Sequence, residues 1–155
     1  MKRNVWMALI LAPFLFAACG KSDTPCVPAT VASEKAAMVA YCTANNITYT
    51  EHSSGILYEI MAPGLGTQTP VLTSTVATVY TGKLLNGTQF DASANPVSFI
   101  LNGVIKGWQI GIPLIKKGGR IKLVIPSSLA YGCDGSGSIP PNSPLYFEVS
   151  LTDVR

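Results

Sequence analysis

The sequence predicts an α+β fold, an antiparallel sheet wrapped on one short helix. Two observations carry the prediction. From about residue 47 to the end, apolar and polar residues alternate with the period of a half-buried strand. One short helical stretch near residue 104 interrupts that run. The order strands, helix, strands suits a sheet with its helix on one face.

The chain has 155 residues, enough for one domain with a real core. Residues 1–18, MKRNVWMALILAPFLFAA, read as a signal peptide. Lys2 and Arg3 supply the positive start, and the apolar run Val5 to Ala18 is too short to span a bilayer as a mature helix. The run ends FAAC, which resembles the bacterial lipobox, with Phe16 where leucine is usual. Acylation of Cys19 would attach the chain to the membrane, each buried CH₂ contributing about 0.8 kcal/mol. The alternative is ordinary cleavage near Ala18, leaving a soluble secreted protein. Either outcome removes Lys2 and Arg3, so the positive count falls from 11 to 9 against 8 acids. The mature chain is then nearly neutral, and no basic stripe suggests nucleic acid.

Residues 19–32 are polar and hold two prolines, a tether between membrane and domain. Residues 33–50 form a helical extension, helical over 33–44: Ser33 is a candidate N-cap, Glu34 favours the first turn, and Asn45-Asn46 suits the end. Its apolar side is mostly small, so it should pack on something else. Residues 51–155 form the main domain. ITYTEHSSGILYEIMAPG alternates around a Ser-Gly turn. STVATVYTGKLL puts Val76, Thr78, Tyr80 and Gly82 on one face. Asn86-Gly87 supplies a tight hairpin turn, and GTQFDAS returns along it. PVSFILN is a further strand, opened by Pro96 at an edge. Residues 104–111 make the short helix, whose extension Pro113 discourages. RIKLVIP and SPLYFEVSLTDV alternate again, with Leu145, Phe147, Val149 and Leu151 together.

Cys26, Cys42 and Cys133 remain for disulfide chemistry, with three pairings open. Cys42 sits on the apolar side of the 33–44 helix, where a buried thiol is inert. Cys26 and Cys133 lie in loop-like sequence, which favours pairing them. His52 is the only histidine, and no zinc spacing exists, so neither metal nor cofactor is implied.

Three blocks go beyond periodicity: VYTGKLLNGTQFDAS, VIKGWQIGIPLIKKGGRIKLVIPSSLAYG and IPPNSPLYFEVSLTDV. Their order and spacing resemble the FKBP-type peptidyl-prolyl cis-trans isomerases over roughly residues 55–155. The resemblance implies a strongly twisted antiparallel sheet of five to six strands around one short helix, with the pocket between them. It implies catalytic roles for Asp91, Tyr131, Phe90 and Trp108, with Trp108 as the pocket floor. It implies substrate contacts from Tyr80, Val97, Val104, Ile105, Ile139 and Phe147. Taken alone, Trp108 could equally be core.

Such a pocket needs no nucleophile. The Xaa-Pro amide resists rotation by about 18–20 kcal/mol because of its partial double bond. Twisting removes charge separation, so a dry apolar site favours the twisted form. On the resemblance, Tyr131 hydroxyl and the Ile105 N–H donate to substrate carbonyls, and Asp91 orients the rotating one, partly by holding Tyr80. Two departures bear on substrate choice. Val97 stands where many relatives carry an aromatic, and Ser136-Gly137-Ser138 makes the flap after Tyr131 polar and flexible. The flap is too short to hold an inserted chaperone domain. The implied partners are proline-containing polypeptides, with macrolides as candidate ligands, in a bacterial envelope facing the periplasm or cell exterior. A proline-chain-binding or chaperone module with little catalysis is the alternative. A scaffold assembled through the 33–44 helix is a third.

Overall fold

A computed structural model describes residues 25–155. The signal segment and the Cys19 acylation site lie outside them. The alternating stretches form six strands: β1 (Thr50–Glu51), β2 (Leu57–Ala62), β3 (Thr75–Leu84), β4 (Gln89–Ile100), β5 (Arg120–Ile125) and β6 (Leu145–Val154). They make one sheet in the order β1-β2-β5-β6-β3-β4, antiparallel at every step. Two helices flank it, α1 (Val31–Ala44) and α2 (Lys106–Gly111).

The inner face of the sheet holds the larger core. Val76, Ile121, Leu123, Ile125, Val149 and Leu151 pack there with Trp108 and Ile112 from the α2 side. Gly107 and Gly111, four apart on α2, make that approach possible. A Cβ at Gly107 would lie 2.4 Å from Ile125 Cγ2, and one at Gly111 2.6 Å from Leu123 Cδ2. Bare glycine therefore lets the helix lie close to β5. Pro113 follows in a short 3₁₀ turn, Ile112–Leu114, that ends the helical stretch.

α1 covers the outer face over β2, β5 and β6. Glu34, Met38 and Cys42, spaced by four, are its buried residues. Met38 and Cys42 pack with Ile47 on Leu57, Val124 and Tyr146. This layer explains why Leu123, Val124 and Ile125 are all buried where alternation alone would expose the middle residue. It also commits the buried side of α1 to its own sheet, so a scaffold built on that side would have to displace it. Burial pushes the Cys42 thiol up, with the Glu59 charge adding to it, which keeps the sulfur neutral and inert. Cys26 and Cys133 are joined by a disulfide, their Cα atoms 5.6 Å apart.

Three expectations need correction. The N-cap of α1 is Thr30, and Ser33 is its third residue. Thr30 Oγ1 accepts from Ser33 N–H, and Ser33 Oγ accepts from Thr30 N–H, both at 3.1 Å. This reciprocal box caps the helix three residues earlier than a single cap at Ser33 would. GTQFDAS and PVSFILN form one strand rather than two. Thr78 pairs with Val97 and Tyr80 with Ser93, so residues 94–96 bulge from a continuous β4. The bulge accommodates Pro96, which has no N–H for a ladder. The short helix begins at Lys106, because Ile105 keeps extended backbone (φ −57°, ψ 149°) as its N-cap.

Candidate active site

Between α2, the inner face of the sheet and the turn carrying Tyr131 lies a cavity of about 290 Å³. Its wall is mostly aromatic and aliphatic. β3 supplies Tyr80, β4 supplies Phe90, Asp91 and Phe99, and β6 supplies Phe147. Val104, Ile105 and Trp108 come from the start of α2. Gly82 makes room for two of these rings, since a Cβ there would meet Phe90 and Phe147 at 2.8 Å.

Trp108 is the hub, buried at 4% exposure. Tyr80, Phe99 and Phe147 meet it edge to face, with ring centroids 5.2, 5.8 and 5.3 Å away. Phe90 continues the cluster through Phe147 at 5.5 Å. Perpendicular contacts of this kind match the positive edge of one ring to the negative face of another, worth about 0.5–1.5 kcal/mol per pair beyond burial. The result is a rigid floor rather than a greasy void.

Polar groups sit at the rim. Tyr80 hydroxyl donates to Asp91 Oδ2 at 2.8 Å. Burial, then the hydrogen bond and charge of Asp91, push the Tyr80 phenol up to about 12. Tyr131 is 37% exposed, and its phenol is pushed up by burial first and the Asp91 charge second. Both hydroxyls therefore stay protonated donors at neutral pH. The carbonyl of Ile105 accepts from Trp108 and Gln109 N–H groups. Its own N–H precedes the helix ladder, where donors are left over.

The structure places most of the expected residues together: Tyr80, Phe90, Asp91, Val104, Ile105, Trp108, Tyr131 and Phe147 all line the cavity. Two do not. Val97 stays 39% exposed beside the bulge, outside the wall. Ladder pairing breaks next to it, and the aromatic that closes this side is Phe99, two residues on. Ile139 is buried in the inner core, bridged to Ser136, and does not line the cavity. The flap tip folds as a tight turn there, so the aliphatic side chain turns inward. His52 is not in a strand. Its Nδ1 accepts from Ser54 N–H at 3.1 Å in the β1–β2 turn.

Sequence reading missed Phe99 and Gln109. Phe99 shares the alternation of PVSFILN, so the signal was present. Gln109 Nε2 donates to the carbonyls of Val104 (2.7 Å) and Asn102 (3.1 Å), fixing the loop before α2. No local pattern announces that role. The arrangement holds no nucleophile with a base beside it. It can bind an apolar ring on Trp108 and hold neighbouring carbonyls at the rim.

Comparison with known proteins points to one family. The model of the family "FKBP-type peptidyl-prolyl cis-trans isomerase" matches residues 66–152. The FKBP-type peptidyl-prolyl cis-trans isomerase FkpA of Escherichia coli (strain K12) is 49% identical over 106 residues, covering 66% of this chain and 39% of that protein. A probable FKBP-type peptidyl-prolyl cis-trans isomerase of Haemophilus influenzae is 51% identical over 106 residues, covering 66% and 44%. The match thus spans about two fifths of these curated relatives. The crystal structure of FkpA from Escherichia coli is similar with a TM-score of 0.71 and 42% identity, covering 81% of this chain and 61% of that one. The structure of a peptidyl-prolyl cis-trans isomerase from Pseudomonas syringae pv. tomato has a TM-score of 0.68 and 33% identity, covering 83% and 98%.

Proposed function

The chain belongs to the FKBP-type peptidyl-prolyl cis-trans isomerase family, and from that premise we propose that it isomerises Xaa-Pro bonds in the cavity above Trp108. The observation that carries the reading is the perpendicular aromatic floor with the Tyr80–Asp91 pair at its edge. The mechanism is non-covalent. The proline ring lies on the Trp108 indole, and the wall excludes water from the amide. A planar amide is more polar than a twisted one and loses more on leaving water. The site therefore favours the transition state over the ground state. An acceleration of about 10⁵ needs about 7 kcal/mol of such preference.

Tyr131 holds a substrate carbonyl through its protonated hydroxyl, and the Ile105 N–H holds another. Asp91, anchored by Tyr80, orients the carbonyl that rotates. Phe90, Val104 and Phe147 complete the dry wall. The substrates we propose are secreted or envelope polypeptides. The signal-like residues 1–18 support that compartment, as does a disulfide between Cys26 and Cys133. Acylation at Cys19 would hold the domain at the membrane on the tether.

The test follows cis/trans relaxation of a short Xaa-Pro peptide with the purified protein. Clear acceleration is expected. Tyr131→Phe removes one substrate hydrogen bond, about 0.5–1.5 kcal/mol, and should lower kcat/KM by up to about tenfold. Asp91→Ala should lower it at least as much. A folded, monodisperse protein that gives no acceleration would sink the enzyme reading and leave a proline-chain binder.

A further inference from the structure

We infer that Glu34, on the helix outside the family-matched stretch, is a positioning residue for Tyr131. The inference rests on the isomerase reading, in which Tyr131 holds a substrate carbonyl. Tyr131 sits on a turn, not on a strand or helix, so no regular ladder holds it. Its placement has to come from other contacts.

Those contacts converge on Ser127. The Ser127 carbonyl accepts from Ala130 N–H and Gly132 N–H, both at 2.9 Å. These are the amides on either side of Tyr131. The other two polar groups of Ser127 point to α1. Its N–H donates to Glu34 Oε2 at 2.8 Å, and its hydroxyl donates to Glu34 Oε1 at 2.5 Å. Both partners are buried, Glu34 at 7% and Ser127 at 1% exposure. A carboxylate is costly to bury unless it is satisfied. Here each oxygen has a donor, and the first turn of a helix favours negative charge. Removing the carboxylate would leave two buried donors without partners.

The arm before α1 grips the same turn. Cys133, two residues beyond Tyr131, is bonded to Cys26. Asn142 Oδ1 accepts from Ala29 N–H at 3.0 Å, and Asn142 Nδ2 donates to Val27 carbonyl at 2.9 Å. Asn142 N–H in turn donates to Gly132 carbonyl at 2.7 Å. Residues 26–34 thus reach the Tyr131 turn by a covalent bond, by the Asn142 relay and by Glu34. Of these, Glu34 alone addresses the hub that bonds both flanking amides.

A double-mutant cycle tests the assignment, with kcat/KM measured for Glu34→Ala, Tyr131→Phe and both together. Glu34→Ala should lower kcat/KM by about 5- to 10-fold in the wild-type background and by less than about 2-fold in the Tyr131→Phe background. Glu34→Gln keeps an acceptor for the Ser127 N–H and should restore most of the loss. Amide hydrogen exchange at Ala130 and Gly132 should quicken in Glu34→Ala. Equal losses in both backgrounds would overturn the assignment, as would unchanged kcat/KM and exchange. Should Glu34→Ala fail to fold, Ser127→Ala enters the same cycle, since it removes only the hydroxyl bond. Wild-type protein without acceleration would sink the isomerase reading alone, and the exchange comparison would still decide whether Glu34 holds the turn.

Discussion

The sheet carries a packed layer on each face, and the two layers are filled differently. Inside, four aromatic rings gather on or next to Trp108 and leave a cavity open to solvent. Outside, α1 seals Leu57, Val124 and Tyr146 with Met38 and Cys42, and the only aromatic pair is the tilted Tyr41–Tyr146 contact at 5.3 Å among the described residues. Rigid rings can hold an empty space because each is propped by the next. Aliphatic side chains close theirs by moving in. The inner face is therefore suited to receiving a ligand, and the outer face, apart from the Glu34 contact, to stability.

Substitution can break that comparison. The largest effect is expected for Trp108→Ala, which removes the hub. It should cost about 3–5 kcal/mol of stability and abolish isomerase activity, read by denaturant unfolding beside the peptide assay. If activity survived, the cavity would not be the site. Met38→Ala on the outer face should cost about 2–4 kcal/mol in the same unfolding experiment. Activity per folded molecule should stay within about twofold of wild type, because Met38 packs in the outer cluster and does not line the cavity. A large loss of activity in a still-folded Met38→Ala would show that the outer packing, and not Glu34 alone, couples α1 to the site.

The smallest effect is shared by both faces. Tyr80 inside is pushed up to about 12, and Tyr41 and Tyr146 outside are pushed up by burial. The unfolded chain titrates its phenols near 10. Folding thus holds these protons more tightly, and the stability they contribute is complete below pH 10. It is lost as pH rises through 10 towards 12. Tyr80→Phe should flatten part of that decline and Tyr146→Phe another part, seen as a smaller fall in thermal midpoint between about pH 10 and 12.

Much of the inner face was legible in the sequence, because strand alternation is local and because the V-I-x-G-W and A-Y-G residues carry a recognisable order. What escaped was non-local. Val124 and Tyr146 look solvent-facing until a helix 80 to 115 residues earlier is laid over them. The Glu34–Ser127 contact spans 93 positions and involves two ordinary polar residues. The resemblance puts Val97 in the wall, but beside the bulge at residues 94–96 it stays exposed, and Phe99 is the aromatic that meets Trp108. Ser33 reads as a cap by residue type, but the cap is Thr30, three residues earlier, with Ser33 as its partner.

The bulge in β4 has a second consequence, for solubility. β1 and β4 form the two edges of the sheet. β1 is two residues long, and β4 is interrupted at residues 94–96 by a segment containing a proline. Neither offers a long run of unpaired backbone groups on which another chain could add a strand. On the function proposed above, the chain meets unfolded polypeptides, many of which carry exposed strand-forming segments. With blunted edges it can take up their prolines without becoming the template on which they aggregate.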